Sequence, residues 1–257
     1  MNAGAAPREL IGLFPAAGRA TRLGARAGSK EILPIGTRRT PAGERPRLVC
    51  ENLLEAFRAA GCARVLVLRR AEKRDLEDTL GDGAGYGLRL EHIVVPPTRS
   101  VPETLNWAYE RIDAADVALG FPDVLARPTN GLARAVARRR TTGSDVVLAL
   151  FPTDRPQKCD MVDVDAQGSV RGIEIKPAST ALALTWLFAT WGAQFTQLLH
   201  ARVAGALPAG RELAVSDVLL EAIDRGLRVE AVAFPLGSHL DIGTPDDLER
   251  ARRAKGD

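Results

Sequence analysis

The chain has 257 residues, 46% of them hydrophobic and 26% charged, which is the composition of a folded globular protein and excludes a disordered or collagen-like chain. No stretch approaches the roughly 18 apolar residues needed to span a bilayer, and the N-terminal residues lack a basic segment followed by an apolar one, so neither a membrane partner nor a signal peptide is expected. The net charge of +3 comes from Lys and Arg spread along the chain, which suits polyphosphate ligands rather than nucleic acid.

In chain order, residues 10–15 read as a strand. Residues 47–60 have helical periodicity and stop at Gly61, a good helix end. Residues 63–68 are β-rich, 72–80 helical and 90–95 a strand. Residues 102–112 read as a helix with Pro102 near its start. A short strand at 117–119 precedes a helix at 130–140, whose closing Arg138, Arg139 and Arg140 suit the helix dipole. Residues 145–151 form another strand. This strand–helix alternation predicts an α/β fold, a Rossmann-like and mostly parallel sheet flanked by helices. The pattern then changes. Residues 161–165 and 170–175 read as a β-hairpin around Ala166-Gln167-Gly168. Strands at 181–189 and 229–234 and helices at 212–225 and 245–254 follow. The 150–190 stretch is expected to be a small antiparallel β annex carrying a second substrate. Cys50, Cys62 and Cys159 lie far apart without CxxC spacing, so neither a zinc site nor a disulfide framework is expected, and a reducing, cytoplasmic setting fits.

Ligands in such folds bind at the carboxyl ends of the strands. Strand one ends at Pro15, and Ala16, Ala17 and Gly18 follow, small residues that allow close approach of backbone N–H groups to a ligand. Thr21, Arg22 and Lys30 follow. Backbone amides with one Arg and one Lys are what a triphosphate needs, although a plain turn would look the same. The spacing is neither a Walker A loop nor GxGxxG, which disfavours a dinucleotide-binding oxidoreductase. Asp123 follows the 117–119 strand in Phe121-Pro122-Asp123-Val124-Leu125. It could hold a hard cation or cap a turn. Asp241 precedes Gly243-Thr244-Pro245. Thr244 and Asp247 are explained as helix-start residues, which leaves Asp241 without a local role.

The segment from Phe14 to Leu23, FPAAGRATRL, followed by Lys30-Glu31-Ile32-Leu33-Pro34, resembles the signature of the sugar-1-phosphate nucleotidylyltransferases, AAGxGTRL followed by PKxLLP. Ala20 stands for the second Gly and Ser29 for the Pro. The Phe-Pro-Asp-Val-Leu segment is similar to the LPDV stretch of the UTP–glucose-1-phosphate enzymes. The ending from Leu240 to Leu248, LDIGTPDDL, resembles the WxDIGTPEDL ending of the mannose- and glucose-phosphate transferases. The resemblance implies a GT-A-like nucleotidyltransferase fold in one domain. Residues of about 8–150 would form the nucleotide half, and those of about 151–257 the sugar-phosphate half. It implies an NTP and a sugar 1-phosphate as substrates, with UTP or dTTP favoured and NDP-sugar and pyrophosphate as products. Arg22 and Lys30 would grip the triphosphate and pyrophosphate. Ala16, Ala17, Gly18 and Thr21 would line the nucleotide, and Asp123 and Asp241 would hold Mg²⁺. Arg22, Lys30 and Asp123 would be the catalytic residues.

On the acceptor side, Glu174-Ile175-Lys176-Pro177 resembles the family's EKP element, with Lys176 on its Lys and Glu174 one place early. Arg211, in Gly210-Arg211-Glu212-Leu213, is a candidate from an RGELEITD-like segment. Glu103 and Trp186 stand where small residues are usual, which implies a changed acceptor pocket. Two other readings stay open. One is a cytidylyltransferase acting on another phosphate or phosphonate, and the other is a non-catalytic paralogue that binds a nucleotide sugar. Homo-oligomerisation is also open.

Overall fold

Leu10, Ile11, Leu13 and Phe14 are all buried, a run that only the middle of a doubly covered sheet accommodates. The computed structural model describes residues 8–18, 28–40, 43–205 and 211–253. Its elements in order are β1 (Leu10–Ala16), β2 (Pro34–Thr40), β3 (Gly43–Leu48), α1 (Glu51–Ala60), β4 (Arg64–Arg69), α2 (Arg74–Leu80), β5 (Arg89–Val94), α3 (Val101–Asn106), α4 (Tyr109–Ile112), β6 (Asp116–Leu119) and β7 (Val124–Arg127). There follow α5 (Gly131–Thr142), β8 (Val146–Pro152), β9 (Asp160–Val164), β10 (Val170–Ile175), β11 (Leu184–Trp191), α6 (Ala193–Ala204), α7 (Val215–Asp224), β12 (Val229–Ala233), β13 (Ser238–Asp241) and α8 (Pro245–Arg253).

β1 pairs in parallel with β4 on one side and β6 on the other, and β4 pairs in parallel with β5. β11 runs antiparallel to β6 and β8, and β8 pairs in parallel with β12. The β9–β10 hairpin joins this same sheet where Met161 meets Thr185 of β11. The antiparallel stretch is therefore the edge of the main sheet. Helices α1 and α5 cover one face through Leu53, Phe57 and Leu132. Helices α3, α6 and α7 cover the other through Leu105, Phe195 and Leu219. Two antiparallel ribbons, β2–β3 and β7–β13, enclose a third small core of Ile35, Val49, Ile242 and Ala251 with α8. Among the described residues no helix is long and apolar enough to cross a membrane.

Several elements differ from expectation. The first helix starts at Glu51, because Arg47 and Leu48 belong to β3, with Leu48 opposite Pro34. The Glu51 carboxylate then accepts the Leu48 N–H at 3.1 Å. The helix expected over 102–112 is interrupted at Trp107 and Ala108. Helix α6 and strands β2, β7 and β13 have no counterpart in the sequence expectation.

The turn after β6 is closely packed. A Cβ on Gly120 would stand 2.4 Å from Leu53 Cδ1 and 2.9 Å from Phe188 Cδ1. Gly120→Ala is therefore expected to cost about 1–3 kcal/mol in urea unfolding, because neither neighbour is at a free surface. A variant as stable as the parent would show that this turn can shift.

Candidate active site

β1 and β6 are adjacent and parallel, with Leu13 opposite Leu119. Their carboxyl ends therefore release the loops starting at Ala17 and Gly120 side by side. Ala16 is the last residue of β1, and its methyl group lies in the core, which leaves its backbone for a ligand. Ala17 is half-buried and Gly18 exposed, with no heavy atom within 4 Å of a Cβ built on Gly18. Thr21 and Arg22 lie outside the described residues.

Lys30 opens a single 3-10 turn, Lys30–Ile32. That turn is anchored from below. Ser29 donates its N–H and Oγ to Asp75 at 2.6 and 2.7 Å, and buried Glu31 pairs with Lys73 Nζ at 2.7 Å. Burial raises the Glu31 pKa, with Lys73 pulling the other way. Glu31 points inward, whereas its neighbour Lys30 forms an ion pair with Asp123. Burial alone would lower the Lys30 pKa. The carboxylates of Asp123, Glu31 and Asp241 outweigh it and hold the ammonium above the ordinary lysine value.

Asp123 and Asp241 are brought together by the β7–β13 ribbon. Asp241 is opposite Val124, and the Ile242 N–H donates to the Asp123 carbonyl at 2.9 Å. Both aspartates line a cavity of about 230 Å³, together with Lys158, Asp160, Lys176 and Trp186. Lys176 has φ 46, the one non-glycine positive φ among the described residues, and its N–H is held by the Cys159 carbonyl at 3.2 Å. Backbone strain of this kind concentrates at functional sites.

Asp123, Asp241 and Lys176 thus share one cavity, and Lys30 reaches it through Asp123. Glu174 and Arg211 do not line it. Glu174 is an exposed residue of β10, on the strand face opposite buried Ile173. Arg211 makes a bidentate ion pair with Asp217, whose carboxylate also accepts the Ala214 N–H at the start of α7. Glu103 is likewise a helix-start residue. It accepts the Arg99 N–H at 2.6 Å, while its own N–H donates to Ser100 Oγ. It does not line this cavity. Trp186 does, in tilted contact with Phe121 at a centroid distance of 5.6 Å. Half-buried His239 forms another part of the wall, and burial lowers its pKa.

Lys158 and Asp160 are cavity residues that the sequence reasoning missed. Neither falls in a recognisable spacing, because their position depends on β9 starting beside β11. Among the described residues no group of three or more His, Cys, Asp or Glu converges. Two carboxylate side chains at adjacent backbone positions nevertheless fit a hard divalent cation that takes its remaining ligands from phosphate oxygens and water.

The chain belongs to the nucleotidyl transferase family, whose model matches residues 16–256. It is 22% identical over 230 residues to the low-salt glycan biosynthesis nucleotidyltransferase Agl11 of Haloferax volcanii, covering 88% of this chain. It is 25% identical over 203 residues to a glucose-1-phosphate thymidylyltransferase of Streptomyces griseus, covering 78% of this chain. The matched regions span 60% and 55% of those two relatives. The fold is shared with a UDP-glucose pyrophosphorylase solved with UDP-glucose, at TM-score 0.78 and 17% identity over 96% of this chain and 98% of that one. It is also shared with a UTP-bound UGPase from Acinetobacter baumannii, at TM-score 0.74 and 18% identity over 96% and 93% of the two chains.

Proposed function

We propose that this protein transfers a nucleotidyl group from an NTP, with UTP or dTTP favoured, to a sugar 1-phosphate in the presence of Mg²⁺. The observation that carries this reading is the meeting of Lys30, Asp123, Asp241 and Lys176 at the carboxyl end of the sheet, beside the loop after β1. The names of the Streptomyces griseus relative and of the fold neighbours holding UDP-glucose and UTP support the choice of base and acceptor.

In this reading residues of about 8–150 receive the nucleotide, with the backbone of Ala16, Ala17 and Gly18 beneath it and Thr21 and Arg22 as further nucleotide-binding residues. Residues of about 151–257 receive the acceptor. Asp123 and Asp241 would hold Mg²⁺, which when bound supplies Lewis-acid charge neutralisation and a template for the phosphates. Lys30 and Arg22 offset charge on the departing pyrophosphate, and Lys176 orients the acceptor phosphate. An oxygen of that phosphate forms the new bond to the α-phosphorus as the bond to pyrophosphate breaks. This oxygen is already anionic near neutral pH, so no general base is needed, and catalysis is positioning and charge stabilisation.

The test is pyrophosphate release from ATP, CTP, GTP, UTP and dTTP with glucose 1-phosphate, other sugar 1-phosphates and a non-sugar phosphate, with and without Mg²⁺. Release confined to UTP or dTTP and dependent on Mg²⁺ and sugar phosphate is expected. Release confined to CTP with a non-sugar phosphate, or absent from every pair, would overturn the reading.

Lys30→Gln is expected to lower kcat/KM for the NTP about 10- to 100-fold, because a charge-assisted contact to phosphate is lost. Since Lys30 is held above its ordinary pKa, it stays protonated through neutral and mildly basic pH. The parent's kcat/KM for NTP should therefore show no fall assignable to Lys30 below pH about 10. A basic limb near pH 8 that disappears in Lys30→Gln would contradict this.

A further inference from the structure

Asp160 and Trp186 form one wall of the cavity that holds Lys176, Asp123 and Asp241. The two are joined through Ser216 on α7. Trp186 Nε1 donates to Ser216 Oγ at 3.0 Å, and Ser216 Oγ donates to Asp160 Oδ2 at 2.6 Å. The direction of this relay is fixed by chemistry. An indole N–H is only a donor, so Ser216 Oγ accepts there and commits its single proton to Asp160. The main-chain carbonyl of Asp160 is tied as well, accepting Thr185 Oγ1 at 2.9 Å. Only Oδ1 is left over. It is buried and has no hydrogen-bond partner among the described residues.

A buried carboxylate oxygen without a donor is destabilising, and buried polar atoms in folded proteins are normally paired. An orphaned one on a residue lining a ligand cavity calls for a donor that the ligand brings. Burial also raises the pKa of Asp160, and Asp217 adds to it, while Ser216, Lys176 and Arg211 pull it down. A more basic carboxylate is a stronger hydrogen-bond acceptor. Beside it Trp186 is buried and packs on Phe121.

We propose that Asp160 is a specificity-determining residue of the acceptor side, whose Oδ1 accepts a hydrogen bond from a hydroxyl or protonated amino group on a phosphate-bearing acceptor. The proposal rests on the nucleotidyl-transfer reading only for the choice of phosphate ligand. Lys176 holds the phosphate, and Asp160 reads the group attached to it.

The test compares the full chain with Asp160→Asn, which keeps the side-chain shape, and with Asp160→Ser, in case the first does not fold. Thermal-shift titrations use glucose 1-phosphate, its monodeoxy analogues, glucosamine 1-phosphate and, separately, UTP. In the parent, one deoxy analogue should bind about 10- to 100-fold more weakly than glucose 1-phosphate, or glucosamine 1-phosphate should bind correspondingly more tightly. The first outcome identifies a hydroxyl as the donor, and the second an ammonium. In the variants this discrimination should disappear, while UTP affinity stays within about 2-fold. Unchanged discrimination in the variants, an equal loss of UTP affinity, or no response of the parent to any of these phosphates would overturn the proposal. Discrimination that depends on Asp160, with no pyrophosphate release from any NTP, would instead overturn the transfer reading and leave the role of Asp160 standing.

Discussion

Asp123→Asn is expected to lower pyrophosphate release roughly 10²- to 10³-fold at saturating NTP and sugar phosphate, with a thermal midpoint close to that of the parent. The substitution removes one of the two carboxylates proposed to hold Mg²⁺ and neutralises the partner of Lys30. It leaves the backbone intact. The Asp123 carbonyl still accepts the Ile242 N–H, so the β7–β13 ribbon keeps its register. The loss should appear mainly in kcat, since an interaction made in the transition state is removed, and raising Mg²⁺ should restore only part of it. Turnover at the parental rate in a folded Asp123→Asn protein would remove Asp123 from the metal site.

The largest expected effect on stability is at Lys73. Glu31 is 1% exposed and Lys73 7%, and their ion pair fixes the turn that presents Lys30. Lys73→Met leaves a buried carboxylate without its cation, a change expected to cost about 3–5 kcal/mol in urea unfolding. Adding Glu31→Leu should recover most of that loss, because a buried pair replaced as a whole by apolar groups of similar size is often neutral. The pH dependence has a definite sign. Burial already places the Glu31 pKa above its ordinary value, and loss of Lys73 pushes it further in the same direction. An acid whose folded pKa exceeds its unfolded one binds more protons when folded, so stability falls as pH rises through that window. The deficit of Lys73→Met should therefore be full at neutral pH and shrink as pH falls towards the ordinary glutamate value of about 4.3. A deficit that grows on acidification would contradict the assignment.

The parallel half of the sheet was legible because β1, β4, β6 and β8 are nearly continuous apolar runs, the mark of strands buried on both faces. The β2–β3 ribbon was not. Arg38, Arg39, Arg45 and Arg47 make it polar, and its strands form because they pair with each other and cover the small core around Ile35 and Val49. The same holds for β7 and β13, four residues each, whose pairing is tertiary and has no local signature. Within the candidate site, Lys30, Asp123, Asp241 and Lys176 could be found from motif order. Lys158 and Asp160 could not, since only the crossing of β9 and β11 places them there. Glu174 and Arg211 each stand one residue out of register with the motif they resemble. In a strand one residue reverses the face, and before α7 the Arg211 guanidinium is taken up by its ion pair with Asp217.

In the proposed reaction an acceptor phosphate oxygen attacks the α-phosphorus of an NTP at the Lys30–Asp123–Asp241–Lys176 cluster. The most direct measurement is a turnover experiment with UTP and glucose 1-phosphate carrying ¹⁸O in its phosphate, followed by mass analysis of both products. All the label is expected in the nucleotide sugar and none in pyrophosphate, with Asp123→Asn losing both products together. Label in pyrophosphate, or pyrophosphate formed without a labelled nucleotide sugar, would contradict it.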